Sequence, residues 1–323
     1  MKVLVTGGAG YIGSVVSRVL LAHGHEVLVL DSLLHGGRAL LGLYPEERFR
    51  FVRGDIRSRP AVQAALAGID AVVHLAAIVG DPACARQPDL AQAVNLEASL
   101  QLIELSRRAG VQRFLFASTC SNYGRMSGTA SYLTEESELR PVSLYAQTKV
   151  AVERALLAGS NGDGPATTVL RFATVFGLSP RMRFDLTVNE FTLELLTKRK
   201  VTSYGAEFWR PYIHIRDVAE AVRLVLESPA ERIRTQAFNV GDTSQNYQKG
   251  RLVELICAQI GADVQVERIH KAEDPRDYRV SFDKIRRALG FQTRYTVEAG
   301  VRELINAISQ GVVADGDDPS YRN

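Results

Sequence analysis

The chain has 323 residues and 46% of them are apolar, so it can bury a substantial core in one large or two ordinary domains. Its 39 basic and 36 acidic residues give a formal net charge of +3 without a long run of one sign, which argues against a nucleic-acid-binding protein. No apolar run is long enough to span a membrane, and the first residues lack a signal-peptide pattern. The cysteines Cys84, Cys120 and Cys257 show neither a disulfide framework nor zinc-ligand spacing. We therefore expect a cytoplasmic protein that binds no metal, no membrane and no nucleic acid.

Short apolar runs alternate with amphipathic stretches through the first half of the chain. The apolar runs are rich in valine, leucine and phenylalanine and predict buried strands at 3–5, 27–30, 71–75, 114–117 and 168–172. The amphipathic stretches predict helices at 11–22, 96–109 and 144–158. Because strands and helices alternate, the predicted fold is α/β, with a doubly wound parallel sheet covered on both faces.

The alternation loosens after residue 172, which predicts a smaller C-terminal α/β lobe. The later elements are a loop at 177–183, a helix at 185–197, an aromatic run at 208–214, a helix at 217–226 and a buried strand at 237–240. We expect one domain to comprise 1–172 and about 212–241, and the other to comprise 173–211 and 242–323. Polar, glycine-rich interruptions at 125–141 and 159–165 predict loops, the first of them functional, and the polar tail at 314–323 is expected to be poorly ordered.

The first predicted strand runs directly into the segment TGGAGYIG, which ends in a helix. Gly7 and Gly10 would let the backbone turn tightly and approach a pyrophosphate, and Gly13 would let the helix pack closely on the strand. The helix N-terminus supplies free N–H groups and a positive dipole. This pattern predicts a dinucleotide-binding turn.

Two acidic residues follow later strands of the same predicted sheet. Asp31 ends the second strand, where a carboxylate accepts hydrogen bonds from the adenosine ribose and repels a 2′-phosphate, so NAD is preferred to NADP. An N-cap for the next segment would serve equally well as an explanation of Asp31. Asp55, in the segment GDI after the third strand, is interpreted as an adenine contact, with a solvated turn aspartate as the alternative.

Tyr145 and Lys149 are four residues apart on a predicted helix, so both side chains project from one face. An ammonium roughly 5 Å from a phenol favours the phenolate by about 3 kcal/mol at an effective dielectric of about 20, which would lower the pKa of Tyr145 and make it a general base. Ser118 and Thr119 end the preceding strand at the edge where such sheets bind ligands. Either hydroxyl could donate to a reacting oxygen, or both could simply satisfy backbone at a strand end.

Taken together, these motifs resemble those of the extended short-chain dehydrogenases, the nucleotide-sugar epimerase and dehydratase family. Further matches are VVHLAA, STCSNYG, WRPYIHIRD and FNVG, so the resemblance covers almost the whole chain. It implies a Rossmann lobe that binds NAD and a smaller lobe that binds a nucleotide diphosphate sugar. Apolar positions on two helices (Leu96, Leu100, Ile103, Val150 and Leu157) are consistent with a homodimer, although core packing explains them equally well.

The resemblance also implies a role for individual residues. Tyr145 would be the acid–base, Lys149 would hold the nicotinamide ribose, and Thr119 would bond the sugar C4 oxygen, with Ser118 as the alternative. The remaining implied NAD contacts are Gly7, Gly10, Tyr11, Ile12, Gly13, Asp31, Asp55, Ile56, Leu75, Ala76, Ala77, Asn95, Ser118 and Phe172. The implied substrate contacts besides Thr119 are Thr174, Asn189, Arg210 and Arg276. The alternative interpretation of Asn95 is that it is an ordinary residue on a helix surface. The alternative interpretation of Arg276 is that it is a solvated surface charge.

The departures from the family pattern narrow the expected reaction. Family dehydratases carry an Asp-Glu pair after the catalytic threonine and decarboxylases carry a glutamate there, whereas this chain has Cys120 and Ser121. The usual asparagine after the sixth strand is replaced by Thr174, which can substitute only partly as a phosphate contact. Arg181 and Arg183 lie in a loop, between Gly177 and Asn189, that is placed to select the sugar and the nucleotide base. We expect an NAD-dependent nucleotide-sugar 4-epimerase, with a 4-ketoreductase and a non-catalytic NAD-binding sensor or scaffold as alternatives.

Overall fold

In a computed structural model of the chain, seven parallel strands form a central sheet in the order β10-β6-β5-β4-β1-β2-β3. The structure describes residues 1–126, 132–158, 164–261, 263–270, 276–313, 316 and 318–323. The strands are β1 (Lys2–Thr6), β2 (Glu26–Asp31), β3 (Phe49–Arg53), β4 (Ala71–His74), β5 (Arg113–Thr119), β6 (Ala166–Phe172), β7 (Thr174–Phe176), β8 (Lys200–Tyr204), β9 (Trp209–His214), β10 (Gln236–Val240), β11 (Asn246–Gln248) and β12 (Gln265–Ile269). Strands β1 to β6 lie in the order β3-β2-β1-β4-β5-β6, which is the Rossmann arrangement and confirms the predicted fold class.

Helices cover both faces of the central sheet. They are α1 (Tyr11–Ala22), α2 (Arg59–Ala65), α3 (Asp81–Arg86), α4 (Pro88–Gln92), α5 (Ala98–Arg108), α6 (Leu144–Ala158), α7 (Thr187–Thr197), α8 (Ile215–Glu227), α9 (Ala230–Ile233), α10 (Lys249–Ile260), α11 (Asp283–Leu289) and α12 (Val297–Ser309). The bounds predicted for α1 and α6 are confirmed. The helix predicted at 96–109 instead begins as a π-helical turn at Ala93–Glu97 and continues as α5.

The central strands are apolar on both sides because both faces of the sheet are covered. Every residue of β4 and of β6 is buried. Two separate core clusters result, one of which continues into the C-terminal part of the chain through β7, β9 and the helices α7, α10 and α12. The fold therefore presents the carboxyl ends of β1, β4, β5 and β6 along one edge, where ligands of this fold bind.

Two small sheets lie outside the central one. Strand β9 pairs in parallel with β7 and antiparallel with β11, and β8 pairs in parallel with β12. The chain returns to the central sheet at β10, which lies beside β6. The predicted domain boundary near residue 212 falls inside β9, and the division into two domains stays a prediction.

The end of the chain differs from expectation. Residues 318–323 were predicted to be poorly ordered, yet the Tyr321 ring packs edge-on against Phe184 with the ring centroids 5.5 Å apart. The Tyr321 carbonyl also accepts a hydrogen bond of 2.9 Å from the Phe184 N–H. The prediction was wrong because one aromatic anchor and main-chain bonds order a polar segment that composition alone marks as loose. Residues 314, 315 and 317, and the loop parts 127–131 and 159–163, lie outside the described residues.

No helix in the described part of the chain is both long enough and apolar enough to cross a membrane.

Candidate active site

The glycine turn between β1 and α1 has a backbone that only glycine can follow. Gly7 has φ +73°, and a Cβ there would lie 2.7 Å from the Ala76 nitrogen on the neighbouring strand end. A Cβ on Gly13 would overlap the Gly7 carbonyl oxygen. Gly10 is the N-cap of α1. The turn therefore brings bare backbone and a helix N-terminus to one surface, as a pyrophosphate requires.

A Gly13→Ala substitution should disrupt this turn, because the added methyl overlaps backbone that cannot move freely. We expect about 1–3 kcal/mol lower stability and a matching loss of affinity for NAD, the cofactor that the sequence predicts. Urea unfolding and calorimetric titration with NAD would measure both. Gly164→Ala is the matched control, since its Cβ would meet Arg107 at an ordinary 3.6 Å. Wild-type NAD affinity in Gly13→Ala would contradict the assignment.

Asp31 fastens the glycine turn to the end of β2. One carboxylate oxygen accepts from the Ala9 N–H at 3.0 Å and the other from the Leu33 N–H at 2.8 Å. Partial burial raises the pKa of Asp31 above its usual value. Asp55, in contrast, is paired with the Arg57 guanidinium at 2.6 Å, and this partner lowers the pKa of Asp55. That arrangement favours the solvated turn aspartate over an adenine contact.

Asn95 holds the segment that follows β4. It is 1% exposed, accepts from the Ile78 N–H at 2.8 Å and donates to the Ile78 carbonyl at 2.9 Å. The helix-surface alternative is therefore wrong, and the side chain positions the segment that continues from Leu75, Ala76 and Ala77. Those three residues are partly exposed, and Ile56 is buried.

Tyr145 and Lys149 lie on α6 beside the carboxyl end of β5. The Lys149 ammonium donates to the Ala117 carbonyl at 2.8 Å and lies 5.8 Å from the Tyr145 ring centroid. Lys149 is only 3% exposed, whereas Tyr145 keeps partial exposure. The predicted proximity of the two side chains is present in the structure.

The predicted lowering of the Tyr145 pKa by Lys149 is wrong for the protein without ligand. Burial raises the pKa of Tyr145 above its usual value, and the nearby Arg183 guanidinium only partly opposes that rise. Burial also lowers the pKa of Lys149 to about 8. Removal of solvent penalises both charged forms, and spacing along a helix does not reveal how far two side chains are removed from solvent.

Ser118 and Thr119 point to different partners. The Ser118 hydroxyl is buried and donates to Glu153, so it is turned away from the predicted cofactor and C4 oxygen roles. Thr119 is partly exposed, and its hydroxyl oxygen accepts from the Ser121 N–H at 3.1 Å. Because this bond uses only a lone pair, the Thr119 proton can still be donated to a ligand.

Glu153 is the residue that the sequence interpretation missed. It lies one turn after Lys149 on α6 and forms a buried ion pair with Arg171, with 2.8 Å between Oε2 and Nη2. Asn122 donates to the same carboxylate at 2.7 Å. The four-residue spacing of Tyr145, Lys149 and Glu153 was the available signal, since it places all three on one helix face.

The predicted substrate residues are only partly brought together. Arg210 is 7% exposed, with its guanidinium 5.2 Å from the Tyr278 ring centroid, and the Tyr278 hydroxyl lies 3.4 Å from the Ser121 hydroxyl. The half-exposed Arg276 forms an ion pair of 2.9 Å with Asp81. The diphosphate contact of Arg276 stays a prediction, with a surface charge as the alternative, and Asp274 and Pro275 of its motif lie outside the described residues.

Asn189 does not face a ligand. It is fully buried, accepts from the Gly177 N–H at 3.0 Å and donates to the Tyr11 hydroxyl at 3.2 Å and to the Arg183 carbonyl at 2.9 Å. Its predicted substrate contact is corrected to a structural role, because these bonds use its amide groups. Phe172 is buried at the end of β6, and Thr174 begins β7, partly exposed.

In the described ranges, no group of three His, Cys, Asp or Glu side chains is arranged to hold a metal ion.

Known proteins are similar to this chain along most of its length. The model of the NAD dependent epimerase/dehydratase family matches residues 3–241. The UDP-glucose 4-epimerase of Corynebacterium glutamicum is 30% identical over 312 residues, which cover 92% of each chain. The dTDP-glucose 4,6-dehydratase of Streptomyces venezuelae, solved with NAD bound, has a TM-score of 0.85 at 28% identity and covers 97% of this chain and 98% of its own.

The Thermus thermophilus UDP-glucose 4-epimerase in complex with NAD has a TM-score of 0.83 at 29% identity, covering 96% of this chain and 99% of its own. The dinucleotide turn of this chain therefore lies in a fold whose solved neighbours bind NAD. The chain belongs to the NAD-dependent epimerase/dehydratase family and is an enzyme whose cofactor is NAD.

Proposed function

We propose that this enzyme is a nucleotide-sugar 4-epimerase that works through a transient 4-keto sugar. The observation that carries the proposal is the grouping of Thr119, Tyr145 and Lys149 at the carboxyl end of β5. The Tyr278 hydroxyl lies 3.4 Å from the Ser121 hydroxyl, two residues after Thr119. In the proposal, the Thr119 hydroxyl and the Tyr145 phenol face the same sugar oxygen.

Each residue of the group has a proposed chemical task. Tyr145 removes the C4 hydroxyl proton and later returns it, while Thr119 donates a hydrogen bond to the same oxygen. Lys149 holds positive charge below the Tyr145 ring. When bound, NAD supplies a reversible hydride acceptor at C4 and a positive nicotinamide charge that favours the phenolate. The keto sugar rotates within the cleft before it is reduced on its other face.

We assign the proposed binding residues from the resemblance of their motifs to those of the family. The pyrophosphate is held by the glycine turn and the first turn of α1, that is, by Gly7, Gly10, Tyr11, Ile12 and Gly13. Asp31 binds the adenosine ribose. Phe172, Leu75 and the Ala76–Ala77 segment line the nicotinamide side. Arg210 and Arg276 hold the substrate diphosphate, for which Arg276 must exchange Asp81 for a phosphate oxygen, and Thr174 contributes a hydroxyl.

The residues after Thr119 argue against dehydration as the reaction. Cys120 is buried, its thiol donates to the Arg171 carbonyl at 3.2 Å, and burial raises the pKa of this thiol well above its usual value. Ser121 is a neutral hydroxyl next to Tyr278. Neither side chain can replace the Asp-Glu pair of the family's dehydratases as an acid–base pair, so proton and hydride exchange at C4 is the chemistry that these residues support.

We expect kcat/KM for the nucleotide sugar to fall as the pH rises above about 8. The protonated form of Lys149 is the active one, and burial lowers the pKa of this residue to about 8 while Glu153 opposes the decrease. Initial rates from pH 6 to 10 would show the descending limb. Glu153→Gln should move this limb to lower pH, because it removes the carboxylate that keeps Lys149 charged. An unchanged limb in that variant would contradict the assignment to Lys149.

The proposal is tested by NMR of the purified protein with UDP-, dTDP-, GDP- and CDP-sugars, offered in 4-hydroxy and 4-keto forms. Inversion at C4 without added NADH, together with NAD retained through purification, supports the epimerase. Reduction of only a 4-keto sugar, with NADH consumed, identifies a 4-ketoreductase instead. NAD binding without binding of any nucleotide sugar would indicate a sensor.

We further propose a cytoplasmic homodimer. All three cysteines are free thiols, as a reducing compartment requires. On α5, Leu100 is 39% exposed and available to a partner, whereas Val150 on α6 is buried and core packing accounts for it. Light scattering would give the oligomeric state.

A further inference from the structure

The segment 318–323 lies against the loop that follows β7. Its Tyr321 carbonyl accepts from the Phe184 N–H at 2.9 Å, and its aromatic ring packs edge-on against Phe184. The Arg322 carbonyl accepts from the Arg181 guanidinium at 3.0 Å. Two backbone carbonyls and one ring therefore attach the segment to this side of the cleft.

The same segment reaches the opposite side, which follows β4. The Asn323 carbonyl accepts from the Arg86 guanidinium at 3.0 Å, and the Asn323 amide donates to the Val79 carbonyl at 3.5 Å. Val79 continues the segment that Asn95 holds at Ile78. Residues 318–323 thus bridge two loops that belong to different strands of the fold.

Both loops border the glycine turn. On one side, the Tyr11 hydroxyl donates to the Gly177 carbonyl at 2.7 Å, and the Ser179 hydroxyl donates to the Tyr11 carbonyl at 2.7 Å. On the other side, Gly7 closely approaches the Ala76 nitrogen. The bridge formed by 318–323 therefore spans the cleft next to the place where the pyrophosphate binds.

Arg181 has unused donor capacity at this point. It is 7% exposed, and its Nε has no hydrogen-bond partner in the described residues. Arg181 also lies near His35, in the loop after Asp31. Burial lowers the pKa of His35 to about 4, and the positive charges of Arg181 and Arg183 contribute to this decrease. Asp185 is paired with Arg183 at 2.6 Å, so the nearest carboxylate is already engaged. A buried guanidinium N–H without an acceptor suits a phosphate oxygen, and Arg181 lies two residues after Ser179, which bonds the first residue of α1.

We propose that residues 318–323 and Arg181 form a strap that retains NAD, with Arg181 donating to the pyrophosphate and the segment closing the cleft over it. This inference rests on the proposed function, since an epimerase regenerates its cofactor at every turnover and gains from keeping it. A ketoreductase, which must exchange cofactor each cycle, would be slowed by such a strap.

The test measures release of NADH from the purified protein in stopped flow, as the loss of its fluorescence on chasing with excess NAD. Tyr321→Ala and Arg181→Met should each release NADH at least about tenfold faster than wild type, because each loses one anchoring interaction of the strap. Val312→Ala is the control, since Val312 is 74% exposed and lies outside the strap. It should release NADH at the wild-type rate.

Release of NADH at the wild-type rate by both variants would contradict the proposal that the strap retains the cofactor. The apo melting temperature shows whether each variant is folded; if Arg181→Met unfolds, Tyr321→Ala carries the test alone, because the Tyr321 ring is partly exposed. The measurement uses no sugar, so it is independent of the NMR test. Slow NADH release that depends on the strap, with no sugar converted, would leave the strap in place and overturn the epimerase.

Discussion

Tyr145→Phe should lower kcat for C4 inversion by about 10²–10⁴-fold while NAD binding persists, because a positioned general acid–base contributes about that much. The substitution removes the phenol oxygen and keeps the ring. The contact between Lys149 and the Ala117 carbonyl does not involve that oxygen, so the helix face is retained. NMR turnover assays and calorimetric titration with NAD would separate loss of chemistry from loss of cofactor.

Tyr44→Phe is the control for this substitution. Tyr44 is 60% exposed and lies after β2, outside the proposed site, so removal of its hydroxyl should leave turnover unchanged. If kcat for C4 inversion by Tyr145→Phe were close to that of Tyr44→Phe, the assignment of Tyr145 as the acid–base would be contradicted. The residual rate of Tyr145→Phe would then have to come from another proton carrier in the cleft.

The sequence predicted the central sheet well because its signals are local. A buried parallel strand appears in the sequence as a short apolar run, and α1 buries mainly apolar residues along its 12 residues. The buried face of the 15-residue α6 also holds Thr148, Lys149 and Glu153. Part of the glycine turn is equally local, since Gly13 meets the backbone of Gly7 and Gly8, although Gly7 also approaches Ala76, which lies beyond β4. These features depend on few distant contacts, so one sequence is enough to predict them.

Side-chain partners at the site were harder to predict because they come from distant parts of the chain. Asn189 resembled a substrate residue, yet its amide joins Tyr11, 178 positions earlier. Arg276 is paired with Asp81, 195 positions away. Ser118 and Thr119 are neighbours in sequence, but strand alternation turns one toward Glu153 and the other toward the cleft. Which of two adjacent hydroxyls reaches a ligand depends on the register of β5.

The pKa of Tyr145 shows the same limitation in electrostatic terms. Spacing on a helix gives the distance to Lys149, but not how far both groups are removed from water. Desolvation opposes both charged forms, and at Tyr145 it outweighs the opposing charge of Arg183. In the proposed mechanism, the positive charge that arrives with the cofactor therefore supplies what the phenolate needs, which would tie proton transfer to an occupied NAD site.

Glu153→Leu should destabilise the protein by about 3–5 kcal/mol, since it leaves the Arg171 charge buried without its partner. The side chains of Arg171 and Glu153 are 4% and 1% exposed. The carboxylate also accepts from Ser118 and Asn122, both in the segment that carries Thr119. Urea unfolding with linear extrapolation would measure the loss.

The double variant Glu153→Leu, Arg171→Met distinguishes an ion pair from simple packing. Removing both charges should restore a large part of the stability, because no uncompensated charge stays buried. Recovery should be incomplete, since Ser118 and Asn122 still lose their acceptor and Tyr123 loses the Arg171 donor at 3.0 Å. Glu254→Leu is the control: its pair with Arg251 is half exposed, so it should cost less than about 1 kcal/mol. If Glu153→Leu lowered the free energy of unfolding by as little as Glu254→Leu does, the Glu153–Arg171 ion pair would not be what holds the end of β5 in place.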